Sequence, residues 1–377
     1  SGVRGAPEVM GQFPVSCLAE EIATPGEGQI RALVTVAGNP VISAPEADRL
    51  DAALPVLDAM IAIDNALNET TRHADVIFPG LSPLEQPHYD ELLWSWAVRS
   101  AGKWSPALFP PEPDRPEEWE ILLRVGAMIA GIAQSDVDVK AIDDGFFSAF
   151  AELGGADPEV ALAANPEPGP DRLVDNAIRT GPWGDRYGDN PGGLTLQHFR
   201  DEPNGIDMGP MVPRLDEVIA HPDAMIDLAP APVVTDIPRL EARLDRPDDG
   251  LLLTSRRHVR SNNSWMHNVP VLVKGKDRCT LLIHPDDAAV AGLTDGEVAR
   301  VSSEAGSLEV PVEGSDEMRP GVVSLPHGWG HDKPGTRQSV AAEHAGVNNN
   351  VLAPGTFVDV PSGNAAVNGI PVEVTRA

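Results

Sequence analysis

Cysteine is nearly missing from this 377-residue chain: Cys17 and Cys279 are the only two. Two thiols cannot hold a four-cysteine iron–sulfur cluster or build a disulfide framework. A reducing, cytoplasmic setting is expected. Lysine is almost as scarce, confined to Lys103, Lys140, Lys274, Lys276 and Lys333. Positive charge is short overall, with 28 Lys and Arg against 57 Asp and Glu and a net charge of −29. Such a surface repels phosphate backbones and anionic headgroups, so neither nucleic acid nor a membrane is expected as a partner. Long apolar runs are absent too. The longest uncharged one, Val125 to Ala133, falls far short of the roughly 18 residues a membrane span needs. No signal peptide opens the chain, but neither does an initiator methionine, and residues 1–30 read like the middle of something longer.

What is present is ordinary in bulk and patterned in detail. Hydrophobic residues make up 42% and charged residues 23%, and the length suits two or three domains. Arg31–Ala37 is a β-branched run that ends in Gly38-Asn39-Pro40 and reads as a buried strand before a sharp turn. Glu46–Leu54 reads as a helix with Pro45 at its first position. Ala59–Ile63 and Asp75–Phe78 are further buried strands, which predicts a parallel α/β sheet. Glu117–Ile132 has helical spacing of Trp119, Leu122, Leu123, Val125, Met128 and Ile129. Phe146–Leu153 and Arg172–Arg179 read as helices. Residues 181–247 are rich in Gly, Pro and Asp and read as irregular cover and linker. From Gly250 the texture changes. Leu251–Thr254, Thr280–Ile283, Val298–Ser302, Ser307–Val312, Val322–Leu325 and Val372–Val374 are short strands, with a helix only at Asp286–Ala291. That predicts a compact β domain, a barrel.

Three loops carry chemistry. In open parallel sheets ligands sit beyond the carboxyl ends of the strands, where Gly38-Asn39-Pro40 and Asp64 fall, with Asn68-Glu69-Thr70 close behind. Glycine lets backbone approach a phosphate, asparagine offers donor and acceptor, and a carboxylate accepts from ribose hydroxyls or a guanine edge. On these residues alone an ordinary βα turn is the better reading, and the turn is not the G-x-G-x-x-G of a nicotinamide site. The second loop, Ser255 to Trp265, holds Arg256, Arg257 and Arg260 with Ser261-Asn262-Asn263-Ser264. Together they can clamp a diphosphate. The competing reading makes the arginines neutralise nearby carboxylates and puts Trp265 in the core. The third is His327-Gly328-Trp329-Gly330-His331. Histidines four apart invite a metal, but the glycines and Pro326 rule out the helix such a pair needs, and no third ligand stands nearby. No metal ligand is expected here. The loop suits close backbone approach to a flat polar ring. Asparagines Asn348, Asn349, Asn350 and Asn364 offer mixed edges, or simply form turns.

The runs GQIRALVTVAGNP and IDNALNETTRHADVIFPGLSPLEQPHYD resemble the third domain of the dimethyl sulfoxide reductase superfamily, which includes formate dehydrogenases and nitrate reductases. The shared pattern falls on Gly38, Asn39 and Pro40, on Asp64, on Glu69 and Thr70, on Ala74 to Pro79 and on Glu85. Gln86-Pro87-His88-Tyr89-Asp90 departs from the family's Gly-Thr-x-x-Asn and leaves the subfamily open. IHPDDAAVAGLTDGEVARVSSEAGSLEVPV resembles the last domain of the same family. The resemblance spans nearly the whole chain and is weakest from about 135 to 245. It implies a Rossmann-like parallel-sheet α/β domain over 1–247 and a double-psi β-barrel over 248–377. It implies bis-molybdopterin guanine dinucleotide carrying Mo or W, held by the residues above together with Arg256, Arg260, Ser261–Trp265, His327–Gly330, Asn348, Asn350 and Asn364. The metal ligand and any 4Fe-4S cluster would lie in a preceding half of the same polypeptide, with a separate electron-transfer partner. Cys17 reads as a small apolar residue. By itself the segment would be inactive, while its parent would carry out two-electron redox or oxygen-atom transfer. The rival readings are a stand-alone guanine-nucleotide-binding or regulatory module and a scaffold that binds nothing.

Overall fold

In the computed structural model, which describes residues 1–245 and 250–377, the β-branched runs form the strands expected of them. β1 (Ala32–Val36) and β2 (Ala59–Ile63) pair in parallel, Ala32 opposite Ala59 through to Val36 opposite Ile63. β3 (Val76–Phe78) completes the order β1-β2-β3. Parallel neighbours require a crossover, supplied here by the helix Ala47–Ala53, whose Leu50 and Ala53 pack with Ile22, Val41 and Met60. That helix starts later than its proline suggests. Glu46 precedes it at φ 50°, and its N–H donates to Ala353 O at 2.9 Å. A long-range contact, not local propensity, sets this helix start.

The chain divides into two compact units, Ser1–Ile77 with Asp227–Ala377, and Phe78–Ile226. The expected boundary at 247/248 lies outside the described residues. The second unit is mainly helical, with helices Glu118–Ile129, Val139–Leu153, Pro158–Ala164 and Pro170–Thr180. Two ribbons accompany them: β4 (His88–Tyr89) pairs with β6 (Trp104–Ser105), and β5 (Arg99–Gly102) with β7 (Ile206–Pro210). Its core gathers on Phe147, Ala151 and Ala161. The expected apolar stripe of Glu118–Ile129 is not its buried side. Leu122, Met128 and Ile129 are 43%, 50% and 75% exposed, and burial falls on Ile121 and Ala127. Residues 181–247 hold more structure than their composition suggests. A Thr195–His198 capping box starts a helix at Leu196–Asp201, and short helices follow at Leu215–Val218, Ala231–Val234 and Ile237–Leu244. Caps and the pairing of β7 with β5 supply what periodicity lacks.

The six strands read beyond Gly250 all form. They are β8 (Leu251–Arg256), β9 (Leu281–Ile283), β10 (Val298–Ser302), β11 (Ser307–Gly314), β12 (Val322–Pro326) and β13 (Ile370–Arg376). They close into a barrel in the order β10-β11-β9-β12-β8-β13. β8 with β12 and β9 with β11 are parallel, and the other pairings are antiparallel. Alternation fills the interior. Val310 and Val312 point inward from β11, joining Leu253, Leu281, Ile283, Val301, Val323 and Leu325. Each such side chain contributes roughly 1.5–3 kcal/mol by leaving water. Small helices at Pro270–Val273 and Ser339–Glu343 add to the one at Pro285–Val290, where the sequence from Gly250 on suggests a helix only at Asp286–Ala291. Among the described residues no helix is long and apolar enough to cross a membrane.

Candidate functional site

A cleft of about 530 Å³ opens at the carboxyl end of β1, within the unit that contains the barrel. One wall is Ala37, Gly38, Asn39 and Ser43. The other comes from the barrel: Ser255 near the end of β8 and Arg257 just after it, Asn263-Ser264-Trp265, His327 after β12, and Asn350, Val367 and Asn368. No lining residue is Asp or Glu, in a chain whose acidic residues outnumber its basic ones two to one. Arg257 donates to the neutral amide oxygen of Asn263. Arg257, Arg256, Arg260 and Arg278 form no ion pair among the described residues, whereas Arg300 and Arg376 on the same barrel do. The cleft is therefore receptive to an anion.

Its backbone is held away from ordinary geometry. Ala37, Asn262 and Asn263 take left-handed φ values of 48°, 41° and 60°. Such conformations persist only where surrounding contacts enforce them. Gly328, at φ 92°, lies so close to the second loop that a Cβ there would stand 2.0 Å from Asn263 O. A Cβ on Gly330, at φ 112°, would meet Asn348 Cβ at 2.7 Å. These glycines are needed for loop-on-loop packing.

A buried network supports the floor. Glu69 and His331 are 0% and 1% exposed and meet at 3.0 Å, Oε1 to Nδ1. Glu69 Oε2 accepts from Asn39 Nδ2 at 2.8 Å, and Asn39 Oδ1 accepts from Thr70 Oγ1 at 2.7 Å. Thr70 Oγ1 in turn accepts the N–H of Val41, which follows Pro40 in the short helix Pro40–Ser43. Burial pushes the Glu69 carboxyl up, but the His331 and Asn39 hydrogen bonds outweigh it and hold the group below its ordinary value. Asn348 Nδ2 donates to Val41 O at 2.9 Å and Asn350 Nδ2 to Ile42 O at 2.5 Å, so both amides tie the barrel to the α/β layer. His327 is pushed down by burial and then by Arg257.

The residues named from sequence thus separate. Gly38, Asn39, Asn263, Ser264, Trp265, His327 and Asn350 line the cleft together. Trp265 is 67% exposed there and not in the core, whereas Trp329 is buried. Pro40, Glu69, Thr70, Gly328, Gly330 and Asn348 lie behind it as support. Asn262 belongs to the loop but does not line the cleft. Asp64 caps its own loop, accepting from Ala66 N at 2.9 Å and Asn68 Nδ2 at 3.2 Å, and burial raises its pKa. Arg256 lies against the barrel strands, where it donates to Ser324 O at 2.6 Å and Thr280 O at 2.8 Å, leaving no free fork for a diphosphate. Arg260, Ser261 and Trp329 line a second, smaller crevice. Asn364 is exposed and braces a turn with Asp359. Glu85 belongs to the other unit, where it accepts from Ser82 N at 2.8 Å and faces Arg115. Arg257 and Ser255 sit in the arginine loop but outside the set that the resemblance implies, and Ser43 and Asn368 carry no signal of their own. Asn368 could have been suspected only through its contact with Ser255 N.

Comparison with known proteins agrees with this architecture. Residues 251–369 match the molydopterin dinucleotide binding domain, and residues 1–127 match the molybdopterin oxidoreductase family. The chain is 27% identical to a putative catalytic subunit of dimethyl sulfoxide reductase from Halobacterium salinarum, over 76% of this chain and 31% of the relative. It is 23% identical to the assimilatory nitrate reductase catalytic subunit of Bacillus subtilis, over 80% and 38%. The acetylene hydratase structure from Pelobacter acetylenicus superposes with a TM-score of 0.62 at 17% identity, covering 96% of this chain and 46% of that one. The chain spans 31% to 46% of the length of these relatives. The strand order, the barrel and both matched domains show that the chain belongs to the dimethyl sulfoxide reductase superfamily of molybdopterin oxidoreductases and carries its dinucleotide-binding domain.

Proposed function

We propose that the carboxylate-free cleft holds the guanine dinucleotide tail of a molybdopterin cofactor, and that the chain is the cofactor-gripping segment of a Mo or W oxidoreductase. The donor set fits the group. A diphosphate needs a cation without a competing carboxylate, which Arg257 offers beside Ser255 and Ser264. A ribose and purine edge need mixed donors and acceptors, which Asn39, Asn350 and Asn368 offer. A volume of about 530 Å³ is in the range of small-molecule sites. Trp265 gives a flat apolar face for a ring. When bound, the cofactor would supply two-electron redox or oxygen-atom transfer chemistry. The protein's own residues would bind, orient and exclude water.

The observation that carries this reading is the absence of carboxylates from the cleft of so acidic a chain. The two parallel pairings in an otherwise antiparallel six-stranded barrel support a double-psi topology over 248–377, with 1–247 as part of the α/β domain. The apolar residues exposed on Glu118–Ile129 support a preceding half of the same polypeptide as partner, and an electron-transfer partner is proposed from the family alone. Cys17 and Cys279 are both unpaired, which supports a cytoplasmic setting. The test is metal and pterin analysis of the full-length product from its native host. Near-stoichiometric molybdenum or tungsten with released guanine nucleotide is expected. A well-folded product with neither would refute the proposal.

A further inference from the structure

The helical unit, Phe78–Ile226, holds a cavity of its own. It measures about 840 Å³, within the roughly 300–1,000 Å³ of small-molecule sites, and every residue that lines it belongs to this unit. The β5–β7 ribbon supplies one side. The C-terminal half of helix Pro170–Thr180 and the turn Gly181-Pro182-Trp183 supply another. The whole chain has seven Trp, two Tyr and eight Phe, and four of these rings line this cavity: Tyr89, Trp94, Trp183 and Phe199. Tyr89 and Phe199 meet edge to face at 5.6 Å between centroids. They pack over Gly102, where a Cβ would come within 2.7 Å of the Tyr89 hydroxyl and 2.9 Å of the Phe199 ring. Ile178, Leu194, Met208 and Met211 add apolar surface. Aromatic walls of this kind suit a flat apolar body.

The polar groups narrow the class further. Four charged residues line the cavity, and three are neutralised. Arg99 pairs with Asp207 and Arg214 with Glu217, both at 2.8 Å. Glu91 forms no ion pair among the described residues. An anion entering here would find no free cation and one free carboxylate, so the cavity excludes the charge that the cleft of the other unit accepts. Two hydroxyls remain. Tyr89 and Ser100 are both partly buried, and neither side chain has a hydrogen-bond partner among the described residues. Burial, and then the Glu91 carboxylate, push the Tyr89 phenol up, so it keeps its proton and can donate. Two O–H donors in a wall with no free cation match an uncharged acceptor, and a carbonyl is the plainest one.

We propose that the helical unit binds an uncharged, flat ring compound that bears a carbonyl, its ring against the aromatic side chains and its oxygen on the hydroxyls of Tyr89 and Ser100. Trp94, Trp183 and Phe199 set the preference for a ring. The paired arginines and the free Glu91 set the preference against negative charge. The proposal concerns a different unit from the cofactor cleft and stands whether or not that cleft holds a dinucleotide.

The test uses the full-length protein and three naphthalene probes, followed by equilibrium dialysis. 2-Acetylnaphthalene carries the carbonyl, 2-isopropylnaphthalene has its shape without the acceptor, and 2-naphthoate is the anion. The ketone should bind, and the carboxylate should bind at least about tenfold more weakly. Tyr89→Phe and Ser100→Ala should each weaken the ketone about two- to tenfold and leave the hydrocarbon within about twofold of wild type. Full-length protein that binds no ketone would overturn the proposal and show the cavity filled by another part of the polypeptide. Naphthoate that binds as tightly as the ketone would overturn it too. So would hydroxyl variants that both hold the ketone as wild type does, because the hydroxyls would then serve only water.

Discussion

Replacing Glu69 with alanine removes one partner of an ion pair whose members are 0% and 1% exposed and 3.0 Å apart. His331 Nδ1 is then buried without its partner, and Asn39 Nδ2 loses its acceptor. Breaking a buried pair from one side costs about 3–5 kcal/mol. For a unit of this size each kcal/mol lowers the melting temperature by roughly 2–4 °C, so a drop on the order of 6–20 °C is expected by calorimetry. Glu69→Gln with His331→Gln, which replaces both partners, should cost less than the sum of the two single glutamine variants, with a coupling of about 0.5–3 kcal/mol. The pH dependence has a definite sign. Glu69 is held below its ordinary value of 4.5, so its stabilisation is present above that value and is lost as pH falls through the lower folded one. The gap between wild type and Glu69→Gln should close on acidification below about pH 4.5. A Glu69→Ala protein that melts within about 2 °C of wild type, or two substitutions that simply add, would show that the pair is not the strut described.

Arg257→Ala should weaken binding of guanosine diphosphate by about 10–100-fold, read by titration calorimetry, because a charged hydrogen bond is worth about 1.5–3 kcal/mol. Arg376→Ala, which breaks only an exposed pair with Glu297, should leave that affinity alone. Arg256→Lys should do the opposite of Arg257→Ala. A lysine cannot reach both Ser324 O and Thr280 O, so urea unfolding should show a loss of about 1–3 kcal/mol with the nucleotide affinity intact. Gly328→Ala and Gly321→Ala separate strain from collision. Both glycines have positive φ, but only at Gly328 does the new Cβ meet backbone, so Gly321→Ala should cost about 1 kcal/mol and Gly328→Ala clearly more in the same assay.

The barrel was legible because its strands are short apolar runs between turns, and inward alternation is a period-2 signal that needs no distant partner. The division of labour between Arg256 and Arg257 was not legible. Successive residues of an extended chain point to opposite faces, so one step along the chain separates an arginine that staples the carbonyls of Ser324 and Thr280 from one that lines the cleft. Glu69 and Thr70 could be picked out by resemblance, but their supporting role depends on His331, 262 residues away. The helix Glu118–Ile129 misled for a related reason: a stripe of apolar residues tells that a face wants covering, not that this unit covers it. Asn349 reads as a plain turn residue in sequence, yet it is buried and donates to Ser255 Oγ at the edge of the cleft.

The interleaving of the two units also sets a timetable. Residues 1–77 complete their unit only with strands that end at Arg376, and Phe78–Ile226 is made in between. At about 5–20 residues per second, the ribosome needs on the order of 15–60 s to travel from Ile77 to the closing strand. Throughout that interval Gly38 and Asn39 have no opposite wall, while the helical unit can already fold. A ligand of this cleft therefore finds both walls only after β13 has been made.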